Sequence, residues 1–263
     1  MDLGLKNKSA LVLAASKGIG RACALALARE GANLTIGARG VEQLEATAAA
    51  IRAETGANVA TCVVDVTNAG QCGAIVEAAH GAFGRVDILV NNAGGPPFGS
   101  FEQFDDAHWR AALELNPISV ARFCRLVLPE MKAAGWGRII NITSLATKSV
   151  LPGSVLSTAG RLGVIGMSRL LADEVASFGI TVNSVAPGTI LTDRVRETAL
   201  RQRMDRGMDE KAAYADIAQG IPARRIGEPA ELAAVVAFLA SGQAGYITGA
   251  TIPVDGGAVR SIL

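Results

Sequence analysis

Ser16-Lys17-Gly18-Ile19-Gly20 follows an apolar run, Ala10 to Ala15, and opens an amphipathic stretch. Glycines at a strand-to-helix junction let the main chain approach a phosphate, and the helix start offers free N–H groups and a positive dipole end. Such a turn is weak evidence alone; its position opening a β-α-β unit is what the chemistry requires. The residue that reads an adenosine ribose falls about 20 positions further on, at the end of the second strand. An acid there would accept from a 2′-hydroxyl, but this chain has Ala38-Arg39-Gly40 and no carboxylate before Glu42. Arg39 suits charge-assisted hydrogen bonds to a 2′-phosphate, and Lys17 adds a second positive charge. The pair predicts NADP(H) as the cofactor.

A parallel sheet has to position these groups. Strands are expected at residues 9–14, 33–38, 59–64, 86–90, 138–142, 181–185 and 251–254, with helices at 19–30, 41–55, 68–83, 104–134, 155–178 and 228–239. The strands are rich in Val, Ile and Leu without polar alternation, as in a sheet covered on both faces. Regular β-α alternation predicts an α/β fold: one Rossmann domain over residues 1–263, a doubly wound parallel sheet of about seven strands with helices on both faces. The helix at 104–134 should bend near Asn116, because Pro117 pushes the residue before it away from α geometry. Residues 190–225 are dense in charge and helical in pattern, an excursion between two core strands that reads equally as a solvated surface helix or as a lid over a site.

At this point the chain resembles the short-chain dehydrogenase/reductase family, nearly end to end. The segments that carry the resemblance are Lys17-Gly18-Ile19-Gly20, Asp65-Val66, Asn91-Asn92-Ala93-Gly94, Asn116, Gly137 to Ser144, Pro187 to Thr192 and Tyr246-Ile247-Thr248-Gly249. Sequences of this build are similar to 3-oxoacyl-acyl-carrier-protein reductases and related NADP-dependent carbonyl reductases. By position, the resemblance implies that Ser16, Lys17, Gly18, Ile19, Gly20 and Arg39 bind the phosphates, and that Asp65 and Val66 meet the adenine. Asn91, Ala93 and Gly94 would line the cleft, with Asn91 also bracing the sheet. Pro187, Gly188, Ile190 and Thr192 would hold the nicotinamide end. Residues after Thr192 would form a substrate lid, and the last strand a subunit contact in a homodimer or homotetramer.

The chain leaves the family pattern twice. The glycine turn normally reads TGxxxGxG, and its first glycine is Ala14 here. A methyl group is compatible with negative φ and costly with positive φ; the expectation is a slightly altered turn that still binds phosphate. The family's catalytic set is Asn, Ser, Tyr and Lys, the last two as YxxxK. Asn116 and Ser144 fit the first two, and Val164-Ile165-Gly166 sets a register that puts Ser157 at the Tyr and Arg161 at the Lys. The two tyrosines, Tyr214 and Tyr246, stand in no such motif. A phenol of pKa about 10 normally supplies the proton, and an aliphatic hydroxyl is a far poorer acid. Arg161 retains charge and donors for the nicotinamide ribose but does not pass on a proton. A small branch of reductase-like sequences is similar here, with Ser-x-x-x-Arg and an alanine in the turn.

Composition narrows the readings. Half of the 263 residues are hydrophobic and 19% are charged, which suits a large buried core. A formal net charge of +1 gives no footprint for nucleic acid or an anionic membrane. The apolar stretch from Leu232 to Val254 is long enough to span a bilayer but is broken by glycines and Pro253, so it reads as helix, turn and strand. Four cysteines without a CxxC pair point to reduced thiols in a cytoplasmic protein, and two isolated histidines exclude a metal cluster. One reading is an NADP(H)-dependent oxidoreductase of a carbonyl or alcohol small molecule. In it Ser144 orients the oxygen, Ser157 or a water relays the proton, Asn116 orders a water chain and Arg161 holds the ribose. The other reading is an NADP(H)-binding protein without turnover, a sensor or partner subunit. A serine hydrolase lacks its GxSxG elbow and a placed histidine.

Overall fold

A computed structural model describes residues 2–260. Seven strands form one sheet: β1 (Ser9–Leu13), β2 (Asn33–Ala38), β3 (Val59–Val63), β4 (Ile88–Asn91), β5 (Gly137–Ile142), β6 (Ile180–Pro187) and β7 (Thr251–Val254). Their spatial order is β3-β2-β1-β4-β5-β6-β7 and every pairing is parallel. The order reverses between β1 and β4, which opens the crevice where ligands of such sheets sit.

The unalternating strands are explained by two cores. Ala10, Val12, Ile88 and Val90 face one side, where they pack with Ala24 and Leu27 of α1 (Gly18–Arg29), Leu44 and Ile51 of α2 (Val41–Thr55), and Leu232 and Val236 further along the chain. Leu11, Leu13 and Leu89 face the other side, against Ile75 of α3 (Ala69–Phe83) and against Phe123, Val127, Val164 and Ala172. Side chains alternate in direction along a strand, so a strand apolar at every position feeds both layers. Gly37 is small for a packing reason: a Cβ there would stand 2.4 Å from Ile75 Cδ1 and 2.6 Å from Val64 Cγ1.

The helix expected at 104–134 is divided. α4 (Asp106–Leu113) and α5 (Ser119–Ala134) flank a wide π-type turn over Glu114–Ile118. Pro117 lacks an N–H to continue the ladder. Side chains take up the carbonyls of the preceding turn: Asn116 Nδ2 donates to Ala112 O at 3.1 Å, and Ser119 Oγ donates to Leu115 O at 2.8 Å. α6 (Val155–Val175) crosses this bend with two glycines. A Cβ on Gly160 would lie 3.3 Å from Asn116 Cβ, and one on Gly163 would lie 3.5 Å from Pro117 Cβ. α6 ends before the expected residue 178, in a 3-10 turn capped by Gly179 at φ +70°.

Residues 190–225 are broken helix: α7 (Asp193–Val195), a π-type turn Arg196–Leu200, α8 (Arg201–Met204) and α9 (Glu210–Gln219). They fold over a small core of their own, with Leu200, Ala213, Ile217, Ile221 and Ile226. α10 (Pro229–Ala240) follows, opened by a capping box between Glu228 and Glu231. Among the described residues no helix is long and apolar enough to cross a membrane.

Candidate active site

A long cleft runs over the carboxyl ends of β1 to β4. Ala14, Ser16, Lys17, Gly18, Ile19, Arg39, Asp65, Val66, Ala93, Gly94 and Thr192 line it, as do Asn92, Gly95 and Arg194. Most of the residues proposed to bind a dinucleotide therefore share one surface. Gly18 sits at φ +57°, with the Thr192 Cγ2 methyl 3.4 Å from where its Cβ would stand.

Ala14 also sits at positive φ, +48°. β1 consequently ends at Leu13, one residue before the expected limit. Steric strain on an L residue there is real, and two contacts retain the turn. Asn92 Nδ2 donates to Leu13 O at 3.3 Å and to Ala14 O at 3.4 Å. Gly20 lies under the same carbonyl, where a Cβ would come within 2.3 Å of Ala14 O. Gly20 thus permits close packing of helix on turn and does not line the cleft.

At the far rim Arg39 is exposed and forms no ion pair among the described residues. Its charge reaches Asp65, whose carboxyl is held below the usual range mainly by the Thr67 N–H and hydroxyl, at 2.9 and 2.7 Å. Lys17 is also exposed and pairs with Asp193 of the excursion at 3.5 Å. An unpaired guanidinium, a nearby ammonium and no acid at the end of β2 fit a 2′-phosphate better than a free 2′-hydroxyl.

Besides Gly20 and Arg161, four residues expected to face the cofactor do not line the cleft. Asn91 is buried, with its Nδ2 donating to Asn141 Oδ1 at 2.8 Å. Pro187 ends β6 against Val254. A Cβ on Gly188 would meet Asp255 Cα at 2.6 Å, and Ile190 is 4% exposed within the core. In the last three the motif serves the fit of β6 to β7 and to the start of the excursion. Sequence reasoning missed Asn92, although it lies inside the quoted Asn-Asn-Ala-Gly motif. It also missed Arg194, which nothing in the sequence sets apart from the arginines around it.

A smaller cavity continues inward from the cleft through Val66, Asn92, Ala93 and Leu115 to Asn91, Asn116, Ser119 and Val164. Asn91 Oδ1 is buried there without a partner. A polar chain behind it fixes α6 to the sheet: Asn91 donates to Asn141, Asn141 Nδ2 donates to Ser168 Oγ at 2.8 Å, and Ser168 Oγ donates to Val164 O at 2.6 Å.

On α6, Ser157 is 9% exposed and accepts from Arg161 Nη1 at 3.3 Å. Ser144 follows β5 and its Oγ accepts from Ala146 N at 3.1 Å. Neither hydroxyl donates to an acceptor among the described residues, whereas Ser119 and Ser168 commit theirs to carbonyls one turn back. Both protons are free for a ligand. Burial, with Arg194's positive charge adding to it, pushes the Arg161 guanidinium down to about 10, so it remains charged at neutral pH.

The geometry is that of a nucleotide-dependent reductase fold, and comparisons agree. Residues 13–259 match the family model described as Enoyl-(Acyl carrier protein) reductase. The 3-oxoacyl-acyl-carrier-protein reductase of Vibrio cholerae is 40% identical over 255 residues, covering 97% of this chain and 98% of that protein. Nodulation protein G of a Rhizobium species is 40% identical over 253 residues, 96% and 97% of the two chains. Among solved structures, L-sorbose reductase from Gluconobacter frateurii, complexed with NADPH and L-sorbose, superposes with a TM-score of 0.96 at 34% identity over the whole of both chains. The actinorhodin polyketide ketoreductase with NADPH gives 0.90 at 34% identity, over 97% and 98%. With the sheet order, the glycine turn and matches of that length pointing one way, the chain belongs to the short-chain dehydrogenase/reductase family of oxidoreductases.

Proposed function

We propose that the protein is an NADP(H)-dependent reductase that interconverts a carbonyl and an alcohol, with Ser157 and Arg161 in place of the usual Tyr and Lys. When bound, the cofactor supplies or accepts a hydride at its nicotinamide. The residues that would hold it are Lys17 and Arg39 at the 2′-phosphate, the Ser16–Gly18 main chain at the pyrophosphate, Asp65 and Val66 at the adenine, and Ala93, Gly94 and Thr192 along the cleft. Arg161 would donate to the nicotinamide ribose. Solved relatives carrying NADPH support the cofactor assignment.

The observation that carries the reading is the pair of uncommitted hydroxyls. Ser144 and Ser157 each accept one hydrogen bond and keep a proton to donate. Directed at one carbonyl oxygen, both donors stabilise the negative charge that develops there as a hydride arrives. Arg161 strengthens Ser157 as a donor by hydrogen bonding to its oxygen. The alkoxide takes its proton through the Ser157 hydroxyl or a water beside it, and bulk solvent replaces that proton. The cavity beside Asn116 and Asn91, with the orphaned Asn91 Oδ1 as an acceptor, would order the water chain.

Residues 190–225 act as the lid. Arg194 spans the cleft mouth, donating to Gly95 O at 3.3 Å and Pro96 O at 3.2 Å. The single-domain organisation and a cytoplasmic location fit the continuous sheet and the free cysteines. Exposed Ile118, Leu126, Leu162 and Leu170 on α5, α6 and the bend before α5 support a homo-oligomer, dimer or tetramer. The test is a fluorescence titration with NADPH followed by a screen of ketones and 3-oxoacyl thioesters for NADPH oxidation. Tight binding with turnover supports the reading. Tight binding with no turnover of any substrate favours a non-catalytic sensor, and no binding overturns both.

A further inference from the structure

Arg122, in the first turn of α5, hydrogen-bonds two segments at once. Its Nη2 donates to Glu114 Oε1 at 2.6 Å, and its Nη1 donates to the main-chain oxygen of Val66 at 3.2 Å. The Cys72 thiol donates to the same Val66 oxygen at 3.3 Å. Neither charged side chain stands free in solvent: Arg122 is 15% exposed and Glu114 31%. An ion pair at that depth is screened less than a surface pair. A guanidinium suits both partners, because its planar fork directs separate N–H groups along fixed lines.

Both segments belong to the candidate site. Val66 and Leu115 line the cofactor cleft and the inner cavity alike, so they stand where the two meet. Glu114 opens the π-type turn that holds Asn116, and Arg122 lies beyond its end, so the ion pair spans the turn. Such a turn interrupts the regular ladder, and Pro117 removes an N–H from it. Side-chain contacts therefore have a large share in fixing its shape. The turn after β3 satisfies its other polar groups internally: Asp65 Oδ1 accepts from the Thr67 N–H and hydroxyl, and Gln71 Oε1 accepts from Asp65 N at 2.7 Å. The Val66 carbonyl is the group of that turn that reaches α5.

Resting on the reductase reading, we propose that Arg122 is a positioning residue for the reaction: it ties the turn at Asp65-Val66 to the bend before α5, and through Glu114 it holds Asn116 where that side chain orders water beside the reacting groups. Its effect on turnover passes through Asn116, and its effect on the cofactor passes through Val66. Occupation of the Asp65-Val66 turn by the adenosine end of a dinucleotide then also steadies the bend.

Variants that cut one arm at a time test this. Glu114→Gln removes the ion pair and keeps the Val66 contact. Its kcat for NADPH oxidation should fall by about 10-fold or more, the scale of a small misplacement near the chemistry. Its Kd for adenosine 2′,5′-bisphosphate, measured by calorimetry, should stay within about twofold of wild type. Arg122→Lys keeps a charge for Glu114 but lacks the fork that also reaches Val66. It should recover most of kcat and raise that Kd by about threefold or more. Arg122→Gln should show both losses. In an Asn116→Ala background it should lower kcat by less than about twofold further, because residues that act as a unit are not additive. Equal changes of Kd in Glu114→Gln and Arg122→Lys, an Arg122→Gln enzyme with wild-type kcat, or a loss that adds fully to Asn116→Ala overturns the proposal. A second readout does not depend on turnover. Saturating adenosine 2′,5′-bisphosphate should slow hydrogen exchange in a peptide covering residues 113–120 by about threefold or more in wild type, and by much less in Arg122→Gln. Equal protection in both proteins, or none in wild type, overturns the tie even in an active enzyme. Protection that is lost in Arg122→Gln, in a protein that reduces no substrate, retains the tie and counts against the reductase reading instead.

Discussion

Asn116 and Gly160 meet where two helices cross: a Cβ on the glycine would lie 3.3 Å from the asparagine's own Cβ and 3.5 Å from its Nδ2. The contact ties the π-type turn before α5 to the segment of α6 that carries Ser157 and Arg161. With the Asn91-Asn141-Ser168 chain, it fixes that face of α6 relative to the sheet. The positions of the proposed reacting groups are thus set by buried contacts, while the proposed cofactor end is set by main-chain geometry around the glycine turn.

Arg39 should decide between the two nicotinamide dinucleotides. A hydrogen bond to a charged group contributes about 1.5–3 kcal/mol. Arg39→Ala should therefore raise the Kd for NADPH by about 10- to 150-fold and change that for NADH by less than about threefold. Fluorescence titrations with both cofactors measure it, and equal losses for the two would remove Arg39 from the 2′-phosphate.

The turn at Ala14 predicts a stabilising mutation. Left-handed geometry costs an L residue about 1–2 kcal/mol. Glycine relieves this but adds about 0.4–1 kcal/mol of unfolded-chain entropy. Ala14→Gly should raise the unfolding free energy by about 1 kcal/mol or less, read by urea denaturation. Gly20→Ala should act in the opposite sense, by about 1–3 kcal/mol, because its methyl group would meet the Ala14 carbonyl. That variant should also weaken NADPH binding.

An acid-sensitive contact anchors the end of the excursion to α10. Arg225 forks onto Glu231, with Nη1 to Oε2 at 2.6 Å and Nη2 to Oε1 at 2.5 Å. These bonds, then the Glu228 N–H, lower the Glu231 carboxyl to about 2. A folded-state value below the unfolded one stabilises the fold above the unfolded pKa of about 4.3, and the contribution disappears as pH falls toward 2. Urea unfolding of wild type and Glu231→Gln should differ at pH 6 and converge between pH 4 and pH 2. A gap that stays constant across that range would contradict the assignment.

Much of the fold was legible because the strands are rich in Val, Ile and Leu without polar alternation, as strands that feed two cores must be. The break near Asn116 was visible in Pro117, whose missing N–H has a local effect. Gly188 and Ile190 were harder. Their motif fixes the chain's path at the end of β6, but sequence does not say which atoms face a ligand and which face Asp255 or the core. Ala14 was open because its cost depends on φ, which the tertiary contacts of Asn92 and Gly20 decide. Arg194 was hidden among several arginines with the same local pattern. Ser157 and Arg161 were legible as departures from a motif. Their hydrogen bond, and the lack of an acid paired with Arg161 among the described residues, appear only in three dimensions.

The central claim is that the uncommitted Ser157 hydroxyl, beside Ser144, does the work of the missing phenol, and Ser157→Ala tests it most directly. With the best substrate from the ketone and thioester screen, kcat for NADPH oxidation should fall by about 10²-fold or more, while the Kd for NADPH stays within about threefold of wild type. A Ser157→Ala protein that turns over at the wild-type rate would contradict the account.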